Sequence, residues 1–175
     1  MTLASLLSSI RALMIVPIVI FNGHHLLVFS LFVVAALTDW LDGYVARKTK
    51  TETEMGALLD LLADKILVSL SLIWVIYLTQ DPFILLPAVI IISRELIISS
   101  VRQYIVESKN GQKIEVSFIG KSKTTLQLIA IAMLFLLPIF GSIFYILTLS
   151  ILWISSFLSI FSLYGYLIKW RSTLI

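Results

Sequence analysis

The chain has 175 residues, of which 59% are hydrophobic and 13% charged, and it contains no cysteine. An ordinary soluble domain is roughly a quarter charged, and one of this length has too little interior to hide so much apolar surface, which leaves lipid as the solvent. The formal net charge of +3 is too modest to argue for nucleic-acid binding, and the lack of cysteine excludes a disulfide framework or a thiolate metal site. A spanning helix takes about 20 mostly apolar residues. Six such segments fit: Leu3–Phe21, His25–Arg47, Glu54–Leu78, Pro82–Val106, Lys121–Ile139 and Ile143–Lys169. The expected fold is an all-α integral membrane protein of six transmembrane helices, a single domain over residues 1–175.

The first segment is not followed by a small-residue cleavage site and a polar stretch, so it reads as a retained helix rather than a signal peptide. Breaks between segments have local causes. Asn22-Gly23, Asp81-Pro82 and Pro138 with Gly141 are turn and breaker signals. The connections Lys48–Thr53 and Glu107–Gly120 are polar. Topology follows from the basic residues. The loops near Asn22, Asp81 and Phe140 have none, whereas Arg47, Lys48, Lys50, Lys109, Lys113, Lys121, Lys123, Lys169 and Arg171 all fall on one side of a six-helix arrangement. Positive residues mark the cytoplasmic side. Both termini are therefore expected in the cytoplasm.

Acidic residues stand out against this apolar background. The second segment ends with Asp39 and Asp42, and the third begins with Asp60 and Asp64. Spacings of three and four put each pair on one helical face. Asp60 and Asp64 lie on the order of 9 and 15 Å along their helix from its cytoplasmic start. Four carboxylates in a partly apolar site repel one another, and desolvating them is costly. Two divalent cations would balance the charge, and hard carboxylate oxygens suit Mg²⁺ or Mn²⁺. Such a pair of ions can clamp the attacking and leaving oxygens of a phosphoryl displacement. The alternatives are structural ion pairs with Arg or Lys, or an ion pathway of the kind a cation transporter needs; ionisable groups within membrane helices are functional by default.

The run Asp39-x2-Asp42-Gly43-x2-Ala46-Arg47-x8-Gly56-x3-Asp60-x3-Asp64 resembles the signature of the CDP-alcohol phosphatidyltransferases at every fixed position. Length and helix count are also similar to that family's six-helix fold. Members displace CMP from a CDP-linked lipid or alcohol with the hydroxyl of a second alcohol. The resemblance implies that Asp39, Asp42, Asp60 and Asp64 hold two divalent cations, Mg²⁺ or Mn²⁺, and that Asp64 is also the general base. It further implies that Gly43, Ala46, Arg47 and Gly56 line the CDP-diacylglycerol site, with Thr53 as a polar nucleotide contact. Small residues let a backbone approach a ligand closely, and Arg47 can fork onto a phosphate; close helix packing is the other use of such glycines. An aspartate is a weak base by its ordinary pKa of about 3.9, so its position within reach of the hydroxyl proton matters most.

The acceptor must be read from the remaining charges. Arg94 lies roughly 18 Å along its helix from Pro82, well inside a bilayer, where an unpaired cation is expensive. Ser93-Arg94-Glu95, Arg102 and the run Gly120-Lys121-x-Lys123-Thr124-x2-Gln127 resemble the corresponding stretches of bacterial phosphatidylglycerophosphate synthases. That likeness implies sn-glycerol 3-phosphate as acceptor, bound by Arg94, Arg102, Lys121 and Lys123, and CDP-diacylglycerol as donor. It also implies a bacterial inner-membrane enzyme of phospholipid biosynthesis with its active site facing the cytoplasm, and a homodimer. A phosphatidylinositol-phosphate synthase, whose acceptor also carries a phosphate, is the alternative within the family. Arg94 with Glu95 as a buried structural pair is the plainer reading of those two charges. The N-terminal pattern Pro-Asn-x-x-Thr-x-x-Arg of similar enzymes is matched by Arg11, and Pro17 also fits, but the Asn has no counterpart. His24 and His25 fall at the opposite face from the acids. Trp74, Tyr77, Trp153 and Trp170 read as packing and interface residues.

Overall fold

A computed structural model describes residues 3–49, 54–108 and 118–174, and within them the side chains of 7–38, 56, 58–101 and 122–168. Every regular element among the described residues is helical: α1 Leu3–Leu13, α2 Ile15–Ile20, α3 His25–Thr49, α4 Glu54–Thr79, α5 Pro82–Ser108, α6 Phe118–Leu136 and α7 Ser142–Leu174. Among the described residues, three stretches are long and apolar enough to cross a membrane, Leu58–Thr79, Pro82–Val101 and Ser142–Ile168. Leu7–Ile20, His25–Thr38 and Ser122–Leu136 are shorter apolar helices.

The breaks have atomic causes. The first expected helix is interrupted at Met14, because Pro17 has no N–H to offer the Leu13 carbonyl and its ring crowds that turn. The Met14 amide turns back to the Arg11 carbonyl at 3.1 Å, and Ile18 N–H reaches the Met14 carbonyl at 3.3 Å. The backbone thus stays helical through Met14, at φ −61° and ψ −18°, and runs on into α2. Between α4 and α5, Gln80 takes a left-handed φ of 49°, a conformation that commonly closes a helix. Asp81 then starts α5: its carboxylate accepts the Phe83 N–H at 2.9 Å, and Pro82 sits where a helix has no use for an N–H. α6 stops at Leu136, since the residue before Pro138 is pushed out of the helical region.

The chain divides into two compact units, Met1–Thr79 with Ile131–Tyr145, and Gln80–Ala130 with Ile146–Ile175. In the first, α1 packs chiefly against α4 and also touches α3, and α2 lies on α3 and α4. Its core holds Ile18, Val28, Phe32, Ala35, Ala63, Leu67 and Phe135, with the rings of Phe32 and Phe135 tilted at a centroid distance of 5.6 Å. In the second, Ile84, Ala88, Ile91, Ile98 and Leu152 are buried. Both units expose large apolar side chains, among them Leu58, Leu61, Leu62, Phe83, Leu86, Phe157 and Phe161, as lipid-facing helices do.

Candidate active site

The N-terminal half of α4 carries a carboxylate pair. Asp60 and Asp64 are four residues apart, so both project from one face toward α1. There Arg11 meets them: its Nη1 donates to Asp60 Oδ1 and to Asp64 Oδ1, each at 2.9 Å. Ser8, one turn earlier on α1, adds a hydrogen bond from Oγ to Asp60 Oδ1 at 3.2 Å. The accessibilities are opposed. The Arg11 side chain is 1% exposed, while those of Asp60 and Asp64 keep 39% and 44%. A buried cation thus gathers two carboxylates that still face outward, beside the exposed Leu58, Leu61 and Leu62 of the same helix.

This donor set fits a divalent cation. Two hard oxygens already converge on one positive point, and carboxylates are the ligands Mg²⁺ and Mn²⁺ favour. Asp39, Asp42, Gly43, Ala46 and Arg47 lie on α3, with their side chains outside the described residues, and Thr53 lies outside them altogether. Gly56 is half-buried in the first turn of α4. Among the described residues, no three acidic, histidine or cysteine side chains form a group that could hold a metal.

The second unit contains a different polar knot. Glu95 Oε1 accepts from Arg94 Nη1 at 3.0 Å and from Lys123 Nζ, joining α5 to α6. Arg94 also donates through Nη2 to Ser162 Oγ at 3.0 Å and through Nε to the Ser159 carbonyl at 3.3 Å, both on α7. Gln127 Nε2 donates to Ser159 Oγ at 2.9 Å. Two cations thus share one carboxylate oxygen. The structure therefore brings Arg94 and Lys123 together through Glu95, and it pairs Arg94 with Glu95 as the plainer sequence reading has it. Arg102 and Lys121 lie on α5 and α6, with side chains outside the described residues.

Sequence reasoning passed over Ser8, Ser159, Ser162 and the reach of Arg11. A signal existed for the first helix: Arg11 is its one charged residue, three positions after Ser8. The serines of α7 recur at 155, 156, 159 and 162, a helical spacing that marks one polar stripe.

The family model for CDP-alcohol phosphatidyltransferase matches residues 1–161. A protein of Haemophilus influenzae named CDP-diacylglycerol–glycerol-3-phosphate 3-phosphatidyltransferase is 42% identical over 137 residues, covering 78% of this chain and 73% of its own. Proteins of the same name from Sodalis glossinidius and Wigglesworthia glossinidia brevipalpis are 38% and 41% identical over 144 and 142 residues. They cover 82% and 81% of this chain, and 78% and 77% of their own.

Proposed function

The chain belongs to the CDP-alcohol phosphatidyltransferase family, and from that premise we propose that it transfers the phosphatidyl group of CDP-diacylglycerol to sn-glycerol 3-phosphate, releasing CMP. The product is phosphatidylglycerol phosphate. The observation that carries the reading is the Asp60–Asp64 pair, drawn to one positive point yet left facing outward. Relatives covering about four fifths of the chain carry that activity in their names.

Asp39, Asp42, Asp60 and Asp64 would hold two divalent cations, Mg²⁺ or Mn²⁺, which when bound neutralise charge on the pyrophosphate and ease loss of the acceptor's hydroxyl proton. Asp64 accepts that proton, and the hydroxyl oxygen attacks the phosphorus next to diacylglycerol as the bond to CMP breaks. Gly43, Ala46 and Gly56 present close backbone to the nucleotide, Thr53 adds a polar contact, and Arg47 grips a phosphate. Arg94, Arg102, Lys121 and Lys123 serve the phosphate of the acceptor, and the gathering of Arg94 and Lys123 around Glu95 supports that role. In this reading one catalytic domain spans the bacterial inner membrane with six helices, both termini in the cytoplasm, and works as a homodimer.

The test is CMP release by the purified chain in mixed micelles of CDP-diacylglycerol. Release should require sn-glycerol 3-phosphate, stop on chelation and return with Mg²⁺ or Mn²⁺. Inositol phosphate supporting release in place of glycerol 3-phosphate would overturn the acceptor, and undiminished release in excess chelator would overturn the metal mechanism.

A further inference from the structure

We propose that Arg11 is an internal counter-cation that sets how tightly Asp60 and Asp64 hold a divalent cation, a positioning residue acting through those carboxylates; this rests on the metal-binding reading above. One atom, Arg11 Nη1, lies 2.9 Å from an oxygen of each carboxylate, and the Ser8 hydroxyl braces the same Asp60 oxygen at 3.2 Å. A structural ion pair of ordinary kind has no need of this layout. A buried guanidinium is neutralised by one carboxylate, and a second on the same nitrogen adds a negative charge that must lean on solvent or on another cation. Both carboxylates keep about two fifths of their side-chain surface open. The pair is arranged to be shared.

The arginine acts in opposing ways, and the sizes of its effects decide the sign. Holding two short side chains in place favours a metal by sparing their rotamer freedom, a small gain because aspartate has few rotamers to lose. A fixed positive charge on the same oxygens repels an arriving divalent cation, and like charges at such short range interact strongly in a partly desolvated site. It also relieves the repulsion between the two carboxylates, which removes part of their reason to take up a metal. The electrostatic effects dominate. Arg11 thus weakens the hold of the carboxylates on the ion and keeps it exchangeable, while fixing where the oxygens point.

The experiment titrates Mn²⁺ into the purified full chain in lipid nanodiscs, reading free Mn²⁺ by electron paramagnetic resonance, with no substrate present. Arg11→Gln should bind about tenfold more tightly than the unsubstituted chain, at the same stoichiometry. Arg11→Lys keeps the charge on a shorter reach and should fall between the two. If Arg11→Gln does not fold, as judged by its melting profile, Arg11→Lys carries the test, with binding tighter than the parent. Binding left unchanged or weakened in the folded variants overturns the role of Arg11 while the metal site stands. Absence of Mn²⁺ binding from the parent chain, unaltered in the double variant Asp60→Asn/Asp64→Asn, removes the metal reading and this inference with it.

Discussion

The chain builds two ionic knots from similar parts and turns them in opposite directions. In the first unit a single buried cation, Arg11, holds two carboxylates that remain two-fifths exposed. In the second a single carboxylate, Glu95, only 15% exposed, is enclosed by two buried cations. The first arrangement turns its carboxylates outward, whereas the second keeps both cations, 8% and 2% exposed, more enclosed than the carboxylate they share. Burial of the cations is what both have in common. Which groups stay open to a ligand follows from that burial, so the exposed members of a cluster say more about its partner than the presence of any one ion pair.

That contrast can be broken by experiment, beginning with the largest effect. Asp64→Asn should lower the rate of CMP release by about 10²–10⁴-fold, the usual worth of a positioned acid or base. Its melting midpoint should stay near the parent's, since Asp60 still answers Arg11. A variant that melts early and retains turnover would invert the assignment. Glu95→Gln should do the reverse, leaving two cations buried without their shared counter-charge at a cost of about 3–5 kcal/mol in stability. A melting midpoint equal to the parent's would show that the second knot does not hold its helices together. Lys123→Gln is the mildest. Losing one charge-assisted contact worth roughly 1.5–3 kcal/mol should raise the Michaelis constant for glycerol 3-phosphate about ten- to hundredfold, with that for CDP-diacylglycerol unchanged. An unmoved acceptor constant in folded protein would leave the knot a purely structural device.

Local chemistry was legible in the sequence wherever a residue acts on its neighbours. Asp81-Pro82 announces the start of α5, and the structure supplies the cap to Phe83 N–H. Pro138 marks where α6 gives way. Pro17 is visible too, yet apolarity alone carries one helix from Leu3 to Phe21; the break at Met14 comes from the missing N–H and the crowded Leu13 carbonyl. The acids announced themselves because an ionisable group in an apolar run is costly. Their partner did not. Arg11 lies 49 residues from Asp60 along the chain, and nothing periodic or local connects them, since the contact exists only once α1 packs on α4. The same holds for Ser159 and Ser162, which gain meaning only when α7 comes to rest against Arg94. Helix ends are written locally, whereas the choice of counter-ion is made by packing.

The exposed leucines beside Asp60 and Asp64 have a consequence for how such an enzyme would be regulated. Leu58, Leu61 and Leu62 present apolar surface on the same stretch of helix as the carboxylates, so in a membrane acyl chains border the carboxylates. A donor that is itself a lipid then belongs to the solvent of the protein. Its abundance is a mole fraction in two dimensions, whereas the phosphorylated acceptor is counted per volume of cytosol. Diluting the donor with inert lipid at constant bulk concentration would slow turnover, and adding bulk volume would not. The two substrates are thereby metered in different phases, and membrane composition becomes a control on flux that no soluble enzyme of this size would feel.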